Sequence, residues 1–278
     1  MGDRVTGGFE ISRKGGVALV EAESLASLPF VLHAFLCREG GVSAGAFSSL
    51  NTSAKEGDRG ENIDRNWDII ASSLRVDREA LVIPRQVHGD GIVVIEDTDV
   101  KGPATVTGDA LVTAVFGVAL CIRTADCVPL FIVDPDHGVI ANVHAGWRGT
   151  AREIARRVVS VMEDRFGSRP SRLLAAIGPA IGGCCYEVDE DVAAAMGPWL
   201  DSGVLRPSPR EGRWMLDLAE TNRLQLTAGG LEARNVTVVR LCTACRRDLF
   251  FSHRRDGGRT GRQANILMLR NSLTREDL

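Results

Sequence analysis

The stretch Val128-Pro-Leu-Phe-Ile-Val133, then the turn Asp134-Pro-Asp-His-Gly138, then Val139-Ile-Ala-Asn-Val143 decides the class of fold. Each apolar run is too short for a helix, rich in β-branched residues and bounded by turn formers. Both read as strands buried on two faces. Working upstream, Ile92–Ile95, Ala110–Val115 and Val118–Ile122 have the same character, and so do Val236–Leu241 and Ile266–Leu269 downstream. From Thr150 the period changes. Ala151, Ile154, Ala155, Val158, Val161 and Met162 form one apolar stripe, while Arg152, Arg156, Arg157, Glu163 and Asp164 face away. Thr150 and Glu153 have capping-box spacing, and Gly167 is a C-terminal stop, so a helix is expected between them. A second helix is expected from about Asn62, as its cap, to Leu74, burying Ile63, Trp67, Ile70 and Leu74. A third enters Leu218–Leu226 behind the Asp217/Glu220 pair. Strands interspersed with helices, some too close in sequence for a crossover, indicate α/β or α+β layers with a mixed sheet.

The chain has 278 residues, with 33 Lys+Arg against 36 Asp+Glu, a net charge of −3. That balance gives no electrostatic case for a nucleic-acid or membrane partner. A hydrophobic fraction of 44% with 25% charged residues excludes general disorder. Residues 1–16 are Gly-rich and polar and are expected to form a flexible segment. No Pro/Gly/Ser linker divides the remainder, so residues 17–278 are expected to form a single domain. The first residues contain no secretory apolar region, and Gly2 with Thr6 fits the loose myristoylation pattern without a basic cluster to support it. No run reaches the roughly 18 apolar residues of a spanning helix. The expected address is cytoplasmic, where the seven cysteines, an odd number, would be reduced.

The chain has five histidines. His88 lies in Arg85-Gln-Val-His-Gly89, just before a predicted strand. His144 ends a strand and opens His144-Ala-Gly-Trp-Arg-Gly149. Cys127 closes Thr124-Ala-Asp-Cys127, between two apolar runs. Strand ends and adjoining loops are where sheet proteins build sites. Two imidazoles and a thiolate make a three-ligand set of the kind that leaves a metal an open position. The separations of 39 and 17 residues belong to no single-element motif, so only folding can bring the three together. Taken alone, a satisfied strand-end histidine and a buried small cysteine are the better explanation of these residues.

The surrounding residues change that balance. Gln86-Val-His-Gly89, Thr124-Ala-Asp-Cys127, His144-Ala-Gly-Trp-Arg-Gly149 and Gly178-Pro-Ala-Ile-Gly-Gly-Cys-Cys-Tyr-Glu-Val188 together resemble the YfiH/laccase-domain family. Its members are labelled purine nucleoside phosphorylase, polyphenol oxidase or peptidoglycan editing factor. His33-Ala-Phe35 and Arg38-Glu-Gly-Gly-Val-Ser43 resemble its early segment. Phe250-Phe-Ser-His-Arg-Arg-Asp256 and Thr260-Gly-Arg-Gln263 resemble its late one. The likeness runs over roughly residues 31–270 in the family's order. Gly183, where the family often has Pro, and Cys37, where it often has Thr, depart from the pattern without touching the candidate ligands. The resemblance implies an α+β fold, a single-domain layered sandwich of mixed β-sheets flanked by helices. It implies a metal on His88, Cys127 and His144, with zinc usual and copper an alternative. It also implies phosphorolysis of adenosine, inosine, guanosine and methylthioadenosine, and deamination of adenosine, so that purine nucleosides and phosphate are the expected partners.

Candidate roles follow. A metal on that triad would lower the pKa of water towards ~7 and serve attack at C6 of adenine. Asp126 is a candidate proton carrier, with a turn-capping role as the equal alternative. Arg148, before a helix N-terminus, suits an anion. Trp147 would stack on a base or sit in the core. Arg38, Tyr186, Arg254 and Arg255 are further candidates for substrate binding. The last two lie in the segment 246–270, whose seven Arg and two Asp leave a local excess of +5. Cys242 and Cys245 form one Cys-x-x-Cys, read as reduced structural thiols. Cys184 and Cys185 would complete a four-cysteine site only if folding brought them there. Three rival functions stay open: an amidase editing peptidoglycan with Cys127 as nucleophile, a copper-dependent polyphenol oxidase, and a zinc-stabilised binding protein with a closed site.

Overall fold

The computed structural model describes residues 3–5, 7–98 and 102–270. Gly2 and Thr6, and the end of the expected domain at 271–278, lie outside the described residues. The strands are β1 (Asp3–Val5), β2 (Phe9–Lys14), β3 (Val17–Ala22), β4 (Val31–Leu36), β5 (Leu81–Arg85), β6 (Ile92–Ile95), β7 (Gly102–Thr107), β8 (Ala110–Thr113), β9 (Ala119–Thr124), β10 (Val128–Asp134), β11 (Val139–Ala145), β12 (Leu174–Ile177), β13 (Glu187–Asp189), β14 (Leu205–Pro207), β15 (Arg213–Leu216), β16 (Val236–Val238) and β17 (Gln263–Leu269). The helices are α1 (Glu23–Ala26), α2 (Gly60–Leu74), α3 (Trp147–Ala151), α4 (Ile154–Phe166), α5 (Glu190–Ala194) and α6 (Leu218–Ala228).

Two large mixed sheets stack face to face. One has the order β1-β2-β3-β4-β17-β9-β5-β7 and the other β16-β12-β10-β11-β8-β6; a small sheet, β13-β15-β14, stands apart. The period-2 alternation of β10 sorts its residues onto two cores. Phe131 and Val133 face the inter-sheet core with Phe35, Leu120, Ile140 and Leu267. Val128, Leu130 and Ile132 face the layer of α4 and α6 through Ile154, Val158, Met162 and Leu226. The outer face of the larger sheet is covered by Trp67, Ile70 and Leu74 of α2. Both faces of the central strands are therefore apolar, which is why they read as unbroken hydrophobic runs.

Three expectations need correcting. The N-terminal segment contains a β-hairpin. Lys14 pairs with Val17 across Gly15-Gly16, whose φ angles of 55° and 89° are those of a type I′ turn. The glycines that read as flexibility are turn residues, and Phe9 is buried in the core. Helix α2 starts two residues before Asn62. Its N-cap is Arg59, and the Asp58 carboxylate accepts from Arg59 N at 2.8 Å and Asn62 Nδ2 at 3.2 Å. The helix expected from Thr150 is two helices. Glu153 takes φ = 56°, breaking the chain between α3 and α4, and no capping box forms. Thr150 is instead held against α6, its Oγ1 accepting from Asn222 Nδ2 at 3.0 Å and its carbonyl from Gln225 Nε2 at 2.7 Å. The Gly167 stop and the Asp217 cap, which accepts from Glu220 N at 2.9 Å, are as expected.

His33 on β4 gives the fold a pH dependence. It is 3% exposed, and its Nε2 accepts from Ala22 N at 2.9 Å. Burial lowers its pKa to about 4, with Glu21 opposing the shift. The folded state therefore binds fewer protons than the unfolded state between pH 6.5 and 4. Its contribution is fully present above the unfolded value and is lost as pH falls through that window, by about 3 kcal/mol in all. Urea melts of the wild type and His33→Gln, compared at pH 7 and pH 4.5, should show the wild type losing the more stability.

Candidate metal centre

His88, Cys127 and His144 converge although they come from three parts of the chain. One ligand atom from each lies within 4.8 Å of the other two. His144 sits near the end of β11, opposite Pro129 of β10 in the ladder, so the strand pair delivers it beside the β9–β10 turn that carries Cys127. That turn and the one after β5 are both sharp. Asp126 has φ = 87° and His88 φ = 57°, left-handed conformations that Asp and His tolerate better than most residues. The His88 and His144 rings meet edge to face at 4.8 Å between centroids.

Asp109, which went unremarked in the sequence, organises the site from behind. Its side chain is fully buried. One oxygen pairs with His144 Nδ1 at 2.8 Å and accepts from His88 N at 3.0 Å; the other accepts from Gly89 N at 2.7 Å and Val87 N at 3.3 Å. Its carbonyl accepts from His144 N at 2.7 Å. Burial opposes its charge, but the His144 and Gly89 hydrogen bonds hold the carboxyl below its usual pKa range. With Nδ1 engaged, His144 is left with Nε2 for a metal, the carboxylate–histidine arrangement that fixes ring and tautomer in metal sites. The only signal available for this residue was an acidic side chain directly before an apolar strand, in Gly108-Asp109-Ala110.

The donor set suits a metal electronically as well. Burial alone would raise the Cys127 thiol, but His144, through charge and hydrogen bond, and then His88 bring it down to about 6. Burial likewise opposes the charge on His144, yet Cys127 and Asp109 raise it to about 9. Near neutral pH the pair is a thiolate and an imidazolium. An incoming ion therefore displaces the His144 proton and finds the sulfur already charged. Gly146 leaves the space: a Cβ there would stand 3.2 Å from Cys127 Sγ, 3.4 Å from His88 Cδ2 and 3.8 Å from His144 Cε1. Gly146→Ala should therefore displace the Cys127 and His88 side chains by a few tenths of an ångström and weaken metal binding at this centre while the apo fold survives, since φ = −73° suits alanine. Metal content together with circular dichroism checks both halves.

His88 and Cys127 face a small pocket of about 50 Å³, lined also by Asp126, Trp147, Arg148, Ile181, Tyr186 and Leu218, with His144 buried behind them. Arg148 lies over the Trp147 ring at 4.3 Å and Arg254 over the Tyr186 ring at 5.0 Å. Burial and then the Cys127 charge push the Tyr186 hydroxyl up to about 12, so it stays protonated. Asp126 lines the pocket with both oxygens engaged, by Thr243 Oγ1 and Arg254 N, each at 2.6 Å. That makes it a brace between loops, closer to the turn-capping alternative than to a free proton carrier. α3 is a single five-residue turn, so Arg148 rather than a helix dipole must supply any anion contact there.

Two expected substrate residues lie elsewhere. Arg38 donates to Ser48 O at 2.7 Å, stacks on Phe251 at 4.6 Å and lines a separate cleft with Arg13 and Glu39. Arg255 is spent inside its own loop on Asp256 and the carbonyls of Thr243 and Phe250. Two more arginines of segment 246–270 are paired, Arg246 with Asp248 and Arg262 with Glu56.

Comparison with known proteins identifies the family. The family model described as multi-copper polyphenol oxidoreductase laccase matches residues 32–270, and the chain belongs to this family. It is 40% identical over 245 residues to purine nucleoside phosphorylase YlmD of Geobacillus stearothermophilus, covering 85% of this chain and 89% of that one. It is 38% identical over 226 residues to adenosine deaminase RL5 of an unknown prokaryotic organism, covering 78% and 86%. The crystal structure of YlmD from Geobacillus stearothermophilus superposes with a TM-score of 0.86 at 37% identity, over 92% of this chain and 97% of that one. The α+β fold is that of these structures. No helix among the described residues is long and apolar enough to cross a membrane.

Proposed function

We propose that this chain is a metal-dependent purine nucleoside enzyme, cleaving adenosine, inosine, guanosine and methylthioadenosine with phosphate and deaminating adenosine. The observation that carries this reading is the convergence of His88, Cys127 and His144, two of which line a pocket walled by Trp147 and Tyr186. A divalent ion on these three donors, zinc by the preference of a His/Cys/His set, supplies Lewis-acid polarisation and activated water near neutral pH. Asp109 fixes His144 for that role. Trp147 and Tyr186 offer aromatic surface to a purine, and the Tyr186 hydroxyl is a donor at neutral pH. Arg148, exposed at the pocket, and Arg254, behind Tyr186, offer guanidinium groups to phosphate. In phosphorolysis a phosphate oxygen bonds to C1′ as the C1′–N bond breaks, and the purine leaves with a proton. In deamination water adds at C6 and ammonia leaves.

Metal-replete protein incubated with adenosine should yield adenine only when phosphate is present, and inosine with or without it. Folded, metal-replete protein that forms neither product would overturn the reading. One observation favours a second chemistry, an amidase: the lowered Cys127 thiol beside His144 has the form of an activated nucleophile. Alkylation separates the two, since a ligand thiolate is shielded by bound metal and a nucleophile reacts in its presence. A multicopper centre of the oxidase type is disfavoured by how the imidazoles are used. His33 accepts from Ala22 N and His137 pairs with Asp134, so neither reaches the site.

A further inference from the structure

Folding brings the four remaining cysteines outside the sheet core together. Cys184 and Cys185 lie in the turn between β12 and β13, Cys242 and Cys245 in the turn between β16 and β17. The two turns are pinned side by side: Thr243 N donates to Ala180 O at 3.0 Å and Gly182 N to Cys242 Sγ at 3.2 Å. All four sulfurs lie within 4.8 Å of one another, with Cys245 Sγ at 3.7 Å from Cys184 Sγ and 3.4 Å from Cys185 Sγ. All are free thiols.

We infer that Cys184, Cys185, Cys242 and Cys245 form a second metal centre, a closed four-thiolate site for one zinc ion. Zinc–sulfur bonds of about 2.3 Å in a tetrahedron put sulfurs about 3.8 Å apart, and the sulfurs here, at 3.4 and 3.7 Å from Cys245 and all within 4.8 Å, need move little to meet it. A disulfide would need a pair near 2.05 Å, and an iron–sulfur cluster holds its thiolates around a cage too wide for this group. Binding exchanges the thiol protons for the ion and releases them to solvent. The Gly182 N–H points at Cys242, and Arg206 reaches the same turn through Gly183 O at 3.3 Å; both offset the negative charge of four thiolates.

The site clasps the wall of the nucleoside pocket. One turn carries Ile181 and Tyr186, which line that pocket. The other carries Thr243, whose hydroxyl holds Asp126 beside Cys127. The two centres differ in kind: one is open to a reactant, the other has all four positions filled by protein. The second ion is therefore a positioning device, holding Tyr186 and Asp126 in place without touching substrate.

Native mass spectrometry and elemental analysis of the full chain, purified without chelator, test this independently of the proposed activity. The wild type should carry two zinc ions per chain, and Cys127→Ala with His144→Ala should retain one. Cobalt in that double variant should give the intense thiolate charge-transfer band of a four-sulfur site. Cys242→Ser with Cys245→Ser should lose that ion and keep the one at His88. If the serine variant fails to fold, the wild type still decides: with metal bound, Cys184, Cys185, Cys242 and Cys245 should resist alkylation and react once chelator is added. A metal-replete Cys127→Ala with His144→Ala variant that is folded and holds no ion, the four cysteines of the wild type alkylating at once with metal present, or a mass lighter by the two hydrogens of a disulfide would each overturn the inference.

Discussion

Cys127→Ser should lower metal affinity at the His88/Cys127/His144 centre by about 10²–10³-fold. Structural zinc sites bind with about 10–16 kcal/mol over four ligands, so one ligand accounts for roughly 2.5–4 kcal/mol, and 1.4 kcal/mol is a factor of ten. The loss should fall at the upper end, because Cys127 is the anionic member of the set. Nucleoside turnover at limiting metal should fall with occupancy and recover in part as metal is raised. Metal titration of turnover in the wild type and in Cys127→Ser measures this. A nucleophilic Cys127 makes the opposite forecast: activity absent at any metal concentration, with metal affinity little changed.

Asp109→Asn should weaken the same centre by about 10–100-fold, the usual cost of losing a partner of a ligating histidine. Asparagine keeps the shape but not the charge, and its amide nitrogen cannot accept the backbone N–H groups that one carboxylate oxygen now takes. His144 then loses the carboxylate that helps hold it protonated in the apo state, so its pKa should fall from about 9. Asp109→Ala is more severe. It leaves the part-buried N–H groups of Val87, His88 and Gly89 without their shared acceptor, each costing less than the roughly 1–3 kcal/mol of a fully buried group wherever water reaches it. Chemical denaturation should show both variants losing stability as well as metal, the alanine change the more, since asparagine keeps one oxygen as an acceptor.

The residues of the site were legible to different depths. The central strands declared themselves because both of their faces are buried, leaving Val128–Val133 and Val139–Val143 with no polar interruption that matters to the core. His88, Cys127 and His144 stood out as rare donor residues at strand ends. Elsewhere one local signal had two physical readings. Gly15-Gly16 fits a flexible tail and a type I′ hairpin equally well, and only the pairing of β2 with β3 decides. Thr150 with Glu153 has the spacing of a capping box, but Thr150 is claimed by Asn222 and Gln225 of α6, contacts more than 70 residues away in sequence. Arg38 and Arg255 carried the charge a phosphate site needs, and nothing local revealed that nearby carbonyls and Asp256 already occupy them. Asp109 and the four-cysteine cluster depend wholly on segments that meet in the fold: Asp109 faces a strand end 35 residues on, and Cys184 faces Cys245 across 61.

The most direct measurement is anomalous diffraction at the zinc edge from crystals of the metal-replete protein. One peak should lie at bonding distance from Cys127 Sγ, His144 Nε2 and a His88 ring nitrogen, with its open side towards Trp147 and Tyr186. A fully loaded crystal with no peak among those three side chains, or with a fourth protein ligand closing the ion off from the pocket, would contradict the account.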